Sequence, residues 1–114
     1  MQVSSEQSGD VVVLSVEGSL DALTAPDLGE AFSAQIAAGH FNLVADLAGV
    51  DYSSSAWIRV LLAAVKETRQ NGGDLRLAAV QANVNKVLTL AGIASAIEQY
   101  PDSATAISSF SSAA

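Results

Sequence analysis

The sequence predicts an α/β fold: a mixed, mostly parallel β-sheet of four to five strands covered by about four helices, in one domain over residues 1–114. Three observations predict it. Short runs rich in Val, Leu and Ile alternate with longer segments whose apolar residues recur at helical spacing. Strands that alternate with helices are joined by crossovers, which place them parallel in one sheet. The chain of 114 residues is half apolar and has no internal repeat or linker, enough for one core without disulfide or metal.

The elements follow in order. Residues 3–7 form a weakly patterned first strand, with Gly9 and Asp10 as a hairpin turn. Residues 11–16 (VVVLSV) are nearly all β-branched or Leu and predict a buried strand. Residues 18–21 turn the chain. A helix starts near Thr24 as its cap, with Pro26 in the first turn and Asp27 completing a capping-box-like start. Leu28, Phe32 and Ile36 share a face, and Gly39 ends the helix.

Residues 42–47 predict a second buried strand with Leu43, Val44 and Leu47 in the core, followed by a loop over 49–54. The clearest helix spans about 55–71, with Ile58, Leu61, Leu62 and Val65 as its apolar stripe and Arg59, Lys66, Glu67 and Gln70 opposite. Gly72 and Gly73 stop it. Residues 75–80 are a strand. Val84, Val87, Leu88 and Ala91 make a short helix ended by Gly92. Residues 97–100 are an edge strand. Pro101 and Asp102 open a last helix carrying Ala104, Ile107 and Phe110, and the tail over 111–114 is expected to fray.

Composition narrows the function. A net charge of −7 disfavours nucleic acid, whose phosphates it repels, and anionic membrane surfaces. All five basic residues lie after Phe41, an asymmetry that fits either a two-sided interaction surface or a scattered solvated one. With no cysteine and one histidine there is no thiolate site and no multi-histidine metal site. The start lacks a basic and an apolar leader region, and the apolar stretch at 58–65 is broken by Arg59 and too short to span a bilayer, so the expected location is cytoplasmic.

The informative stretch is DLAGVDYSSSAW at 46–57, which joins a strand end to a helix start. In open α/β sheets partners gather at the carboxyl ends of strands. Ser53, Ser54 and Ser55 sit at that junction, where a helix start offers unpaired N–H groups. One serine can be a plain N-cap; alternatively, one accepts a phosphate, whose charge of about −1.5 to −2 would repel a docked partner. No Gly-x-Ser-x-Gly elbow accompanies the serines, and His40 reads as a loop residue, so a hydrolase is not expected. Gly72-Gly73 lacks the Gly-Lys-Ser/Thr of a phosphate loop. Asp21 is either a site carboxylate or a turn residue. Trp57 lies beside the main stripe; a partly exposed indole there would anchor a partner, and core packing is the competing reading.

Four segments carry a family resemblance. GSLDALTAP at 18–26 resembles the G-x-L-D-x-x-T-A opening of bacterial anti-sigma factor antagonists, which are STAS domains. Residues 46–58 match in register their D-L-S-G-V-x-F-I-D-S-S-G-L stretch. NGGDLRL at 71–77 resembles G-G-x-L-x-L, and VLTLAGI at 87–93 resembles V-L-x-L-x-G-L. The similarity covers about residues 11–110.

The resemblance implies a non-enzymatic partner switch. The antagonist binds a GHKL-type anti-sigma serine kinase and frees a sigma factor; the kinase, with its own ATP and magnesium, phosphorylates one serine, and a PP2C-type phosphatase resets it. The antagonist itself needs no cofactor. The acceptor position is Ser55, with Ser54 and Ser53 as alternatives. The partner surface implied is Asp21, Thr24, Tyr52, Ser53, Ser54, Ser55, Ala56, Trp57 and Arg59. The chain departs from the pattern at Ser54 (aspartate), Ala56 (Ser/Thr), Trp57 (glycine) and Arg59 (a small residue), and the bulk of Trp57 and Arg59 is expected to reshape the docking surface. Free-standing STAS proteins also resemble non-switching accessory subunits of lipid-transporting ABC systems, and the altered acceptor motif favours that reading.

Overall fold

The computed structural model describes residues 1–111. Strands β1 (Gln2–Ser8) and β2 (Val11–Glu17) form a hairpin, followed by helix α1 (Ala25–Ala37) and strand β3 (Asn42–Gly49). A single 3₁₀ turn, Ser55–Trp57, runs directly into α2 (Ile58–Gln70); then come β4 (Asp74–Ala78), α3 (Ala82–Leu90), β5 (Gln99–Tyr100) and α4 (Ser103–Ser111). The strands lie in the order β1-β2-β3-β4-β5, with only the β1/β2 pair antiparallel. This is the mixed, mostly parallel sheet with four helices that the sequence predicts.

Strand alternation sorts the core into two layers. Val12, Leu14 and Val16 of β2, Leu43, Ala45 and Leu47 of β3, and Leu75 and Leu77 of β4 face a large cluster containing Leu28, Phe32 and Ile36 of α1, Leu61 and Val65 of α2, and Val84 and Leu88 of α3. Val11, Val13, Val44 and Ala78 face the other way, against Ala106, Ile107 and Phe110 of α4. The near-continuous apolar run at 11–16 therefore has a reason: both faces of β2 are covered.

α4 is held by polar contacts as well. Asp102 caps it by accepting the Thr105 N–H at 2.7 Å, and hydrogen bonds from Thr105 hold its carboxyl below the usual range. Ser103 donates to the Asp46 carboxylate of β3, and Arg76 donates to Ser109 and stacks 4.1 Å over the Phe110 ring.

Several local expectations are corrected. The long helix predicted over 55–71 begins as a 3₁₀ turn. Its buried stripe is Trp57, Leu61, Ala64, Val65 and Thr68, whereas Leu62 is exposed. The α1 and sheet contacts centre the buried face on Leu61, and Leu62 lies about 100° around the helix from it. Thr68 fits this apolar stripe because its hydroxyl donates to the Ala64 and Val65 carbonyls within the helix. In α4 the buried alanine is Ala106; Ala104 faces solvent. Thr24 stands at the N-cap position of α1 but makes no side-chain cap, and the capping-box-like start with Asp27 does not form. The predicted strand at 75–80 closes at Ala78. Of the tail expected to fray, Ser111 ends α4 and 112–114 lie outside the described residues.

Candidate functional site

The site lies at the carboxyl ends of β2 and β3. The loop after β2 and the loop after β3 are strapped together by three backbone bonds: Gly18 N–H to Gly49 O at 3.0 Å, Leu20 N–H to Tyr52 O at 3.0 Å, and Ser54 N–H to Leu20 O at 2.8 Å. Leu20 and Ser53 form an isolated parallel bridge that prolongs the β2/β3 ladder past the strands. Leu20 and Val50, both fully buried, pin the loops to the core. A loop tied this way presents its side chains at defined positions without an ordering cost on docking.

The loop before α1 is built by two side chains named as partner contacts. Asp21 Oδ1 accepts the Leu23 N–H at 2.9 Å and the Thr24 N–H at 3.1 Å. Thr24 Oγ1 accepts the Asp21 N–H at 3.0 Å and donates to Ser19 O at 2.8 Å. Both residues therefore shape the turn, and Thr24 is drawn away from the helix cap by this network. The turn leaves Leu23 88% exposed, and in the loop after β3 Tyr52 is 55% exposed. Sequence reasoning missed Leu23; an apolar residue between a turn-forming Asp and Thr was the available signal.

The three serines have three different environments. Ser53 is 7% exposed and its hydroxyl has no partner among the described residues. It points inward because the bridge to Leu20 gives it a strand position, so as an acceptor or surface contact it is corrected. Ser54 Oγ accepts the Ala56 N–H at 3.2 Å and caps the 3₁₀ turn, a task aspartate performs equally well. Ser55 is exposed as the first residue of that turn, beside exposed Ala56 and Arg59.

Trp57 is the largest correction. It is fully buried in the main core cluster, with its Nε1–H unpaired among the described residues. Neither an exposed anchor nor a docking surface shaped around it exists: the indole enters the core at the foot of α2. Of the two bulky departures from the family pattern, only Arg59 alters the surface.

The unpaired Ser53 hydroxyl makes a prediction. A buried hydroxyl without a partner destabilises by about 1–3 kcal/mol. Ser53→Ala is expected to raise stability by about 1 kcal/mol in urea unfolding, with an unchanged slope. A loss of similar size would mean that the hydroxyl is paired in solution.

Other sequence candidates lie elsewhere. His40 sits in the loop before β3, at the opposite end of that strand from Ser55. Among the described residues no group of three or more His, Cys, Asp or Glu could hold a metal ion. No helix among them is long and apolar enough to cross a membrane.

This geometry defines a class: a mixed-sheet α/β domain presenting a strapped loop-to-helix junction with an exposed serine. The STAS domain family model matches residues 2–106. The chain is 30% identical over 95 residues to BtrV of Bordetella bronchiseptica, assigned as an anti-sigma factor antagonist, covering 83% of this chain and 82% of that one. Among solved structures it resembles an anti-sigma factor antagonist from Mycobacterium paratuberculosis, with a TM-score of 0.82 and 27% identity, covering 95% of this chain and 92% of the other. The fold is also that of SpoIIAA in its unphosphorylated form (TM-score 0.83, 17% identity, 99% of each chain), which has been solved in a phosphorylated form from Bacillus as well (TM-score 0.73, 18% identity, 96% of this chain and 99% of that one). The chain belongs to the STAS domain family, among its anti-sigma factor antagonists.

Proposed function

We propose that this chain is a phosphorylation-controlled binding module that docks a GHKL-type anti-sigma serine kinase through the two strapped loops and the start of α2. Ser55 is the acceptor. One observation carries this reading: of the three serines, Ser55 is the exposed one, whereas Ser53 is buried and Ser54 is engaged as a cap. In the transfer the Ser55 Oγ–P bond forms, the bond from the γ-phosphorus of the kinase's ATP to ADP breaks, and the hydroxyl proton leaves. The phosphate brings about −1.5 to −2 charge to a chain already at −7, and docking ends by repulsion and desolvation. A PP2C-type phosphatase restores the binding form. SpoIIAA, a neighbour in fold, exists in both forms.

The static reading, an accessory subunit bracing a transporter ATPase, drew on the altered acceptor motif. Trp57 packs inward, so that alteration adds no bulk to the exposed surface, and Ser54 keeps the capping role that an aspartate would have there.

The test is a pull-down from the native host with wild type, Ser55→Ala, Ser55→Asp and Ser54→Asp, followed by titration of the retained partner. A GHKL-type kinase held by wild type and Ser55→Ala, and bound at least about tenfold more weakly by Ser55→Asp, is the expected result, tenfold being about 1.4 kcal/mol. Equal retention of the kinase by Ser55→Asp and by Ser54→Asp sinks the switch. A transporter ATPase held equally by all variants replaces it with the static reading.

A further inference from the structure

The cations of this chain are unequally committed. Arg69 donates to Asp74 at 2.8 Å and to the Ala96 carbonyl at 3.0 Å. Arg76 pairs with Asp74 at 3.0 Å and Glu98 at 3.4 Å. Arg59 makes no hydrogen bond or ion pair among the described residues. It lines a hollow of about 460 Å³ between the starts of α1 and α2, and Ser55 lines the same hollow. The remaining walls are small and apolar: Ala22, Ala25, Pro26, Ala56 and Val60. Among the described residues no carboxylate lines the hollow. Asp21, in the loop leading to it, already has its Oδ1 occupied by two backbone N–H groups.

A lone guanidinium and a serine hydroxyl thus open onto one small-walled space. Ser55 opens the 3₁₀ turn that runs into α2 and Arg59 is the second residue of α2, so the two sit within about one turn of each other on the wall of the same hollow. Guanidinium and phosphate make the strongest pairing available to an arginine, two parallel charge-assisted N–H to O bonds.

We propose that Arg59 is a phosphate-binding residue that captures, in cis, the phosphate carried by Ser55. The proposal rests on Ser55 being the acceptor and adds what holds its product. With the guanidinium folded over it, the phosphate fills the hollow, loses part of its charge to the surroundings and is shielded from attack. Docking is then blocked by an occupied hollow as well as by repulsion. The resemblance places a small residue at this position, where this chain has Arg59.

The test uses the full chain with phosphoserine encoded at position 55, so it does not depend on any kinase. The phosphate is titrated by phosphorus NMR in wild type, Arg59→Gln, Arg59→Lys and Lys66→Gln. An adjacent cation favours the dianion. The apparent second pKa is expected about half a pH unit lower in wild type than in Arg59→Gln, intermediate in Arg59→Lys and unchanged by Lys66→Gln, with the difference shrinking in high salt. Superimposable titrations of wild type and Arg59→Gln, or an equal effect of Lys66→Gln, overturn the proposal. Release of the kinase by Ser55→Asp together with superimposable titrations removes the capture and leaves the partner switch standing. A depressed pKa without kinase retention does the reverse.

Discussion

Trp57→Ala is expected to destabilise the domain by about 3–5 kcal/mol, the range for deleting a buried large aromatic. Trp57 is fully buried, the largest side chain in the core, and shares a cluster with Leu20, Leu28 and Leu61 from three different segments. Domains of this size are stable by about 5–15 kcal/mol, so the loss is a large share of the total and lowers the melting temperature by on the order of 10 °C or more. Urea unfolding of wild type, Trp57→Ala and Trp57→Phe separates packing from the indole N–H. Phenylalanine restores most of the volume and removes the unpaired Nε1–H, and is expected within about 1.5 kcal/mol of wild type. A loss below about 1 kcal/mol for Trp57→Ala would put the indole on the surface in solution and revive its role as a partner anchor. Because Trp57 ends the turn that Ser55 begins, hydrogen exchange at 55–58 should also accelerate in the alanine variant.

Gly73→Ala is expected to cost about 2–4 kcal/mol, at and beyond the usual range for overpacking. A Cβ at this position would lie 1.9 Å from the Phe41 carbonyl oxygen and 2.5 Å from its carbon. That carbonyl cannot retreat freely, since it accepts the Asp74 N–H at 2.9 Å at the start of the β3/β4 pairing. The smaller unfolded-state entropy that alanine brings stabilises by only about 0.4–1 kcal/mol and does not reverse the sign. The neighbouring Gly72 serves a different need: it holds φ +83 at the end of α2 in open space, and Gly72→Ala is expected to cost about 1–2 kcal/mol from the left-handed backbone alone. Thermal and urea unfolding of both variants check the order. If Gly73→Ala proves the milder of the two, the close approach of α2's exit to Phe41 is not maintained in solution.

The residue pattern made the order of elements legible. The β-branched run of β2, the 3.6-residue spacing of Leu28, Phe32 and Ile36, and the turns at Gly9, Gly39 and Gly92 are signals carried by a few neighbouring residues. They act locally, so they survive reading in one dimension. The acceptor loop was legible too, because its motif falls between a strand pattern and a helix pattern. The Gly72-Gly73 pair reads as a helix stop, and both N–H groups close the end of α2, Gly72 to the Arg69 carbonyl and Gly73 to the Thr68 carbonyl.

Direction was not legible. Whether a loop side chain points in or out depends on what its backbone is tied to, and those ties run between segments far apart in sequence. The bridge from Leu20 to Ser53 turns Ser53 inward and places Trp57 over the core. The Asp21–Thr24 network removes Thr24 from capping and puts Leu23 in solvent. The angle at which α2 meets α1 and the sheet buries Ala64 and Thr68 and leaves Leu62 outside. By itself, then, the sequence determined the α/β order, the family resemblance and the loop where the serines stand, since propensity, periodicity and motif are properties of contiguous residues. The tertiary structure alone decided that Ser55 is the exposed serine, that Trp57 is core, and that Arg59 shares a hollow with Ser55, since each is settled by contacts between segments that meet only once the sheet has formed.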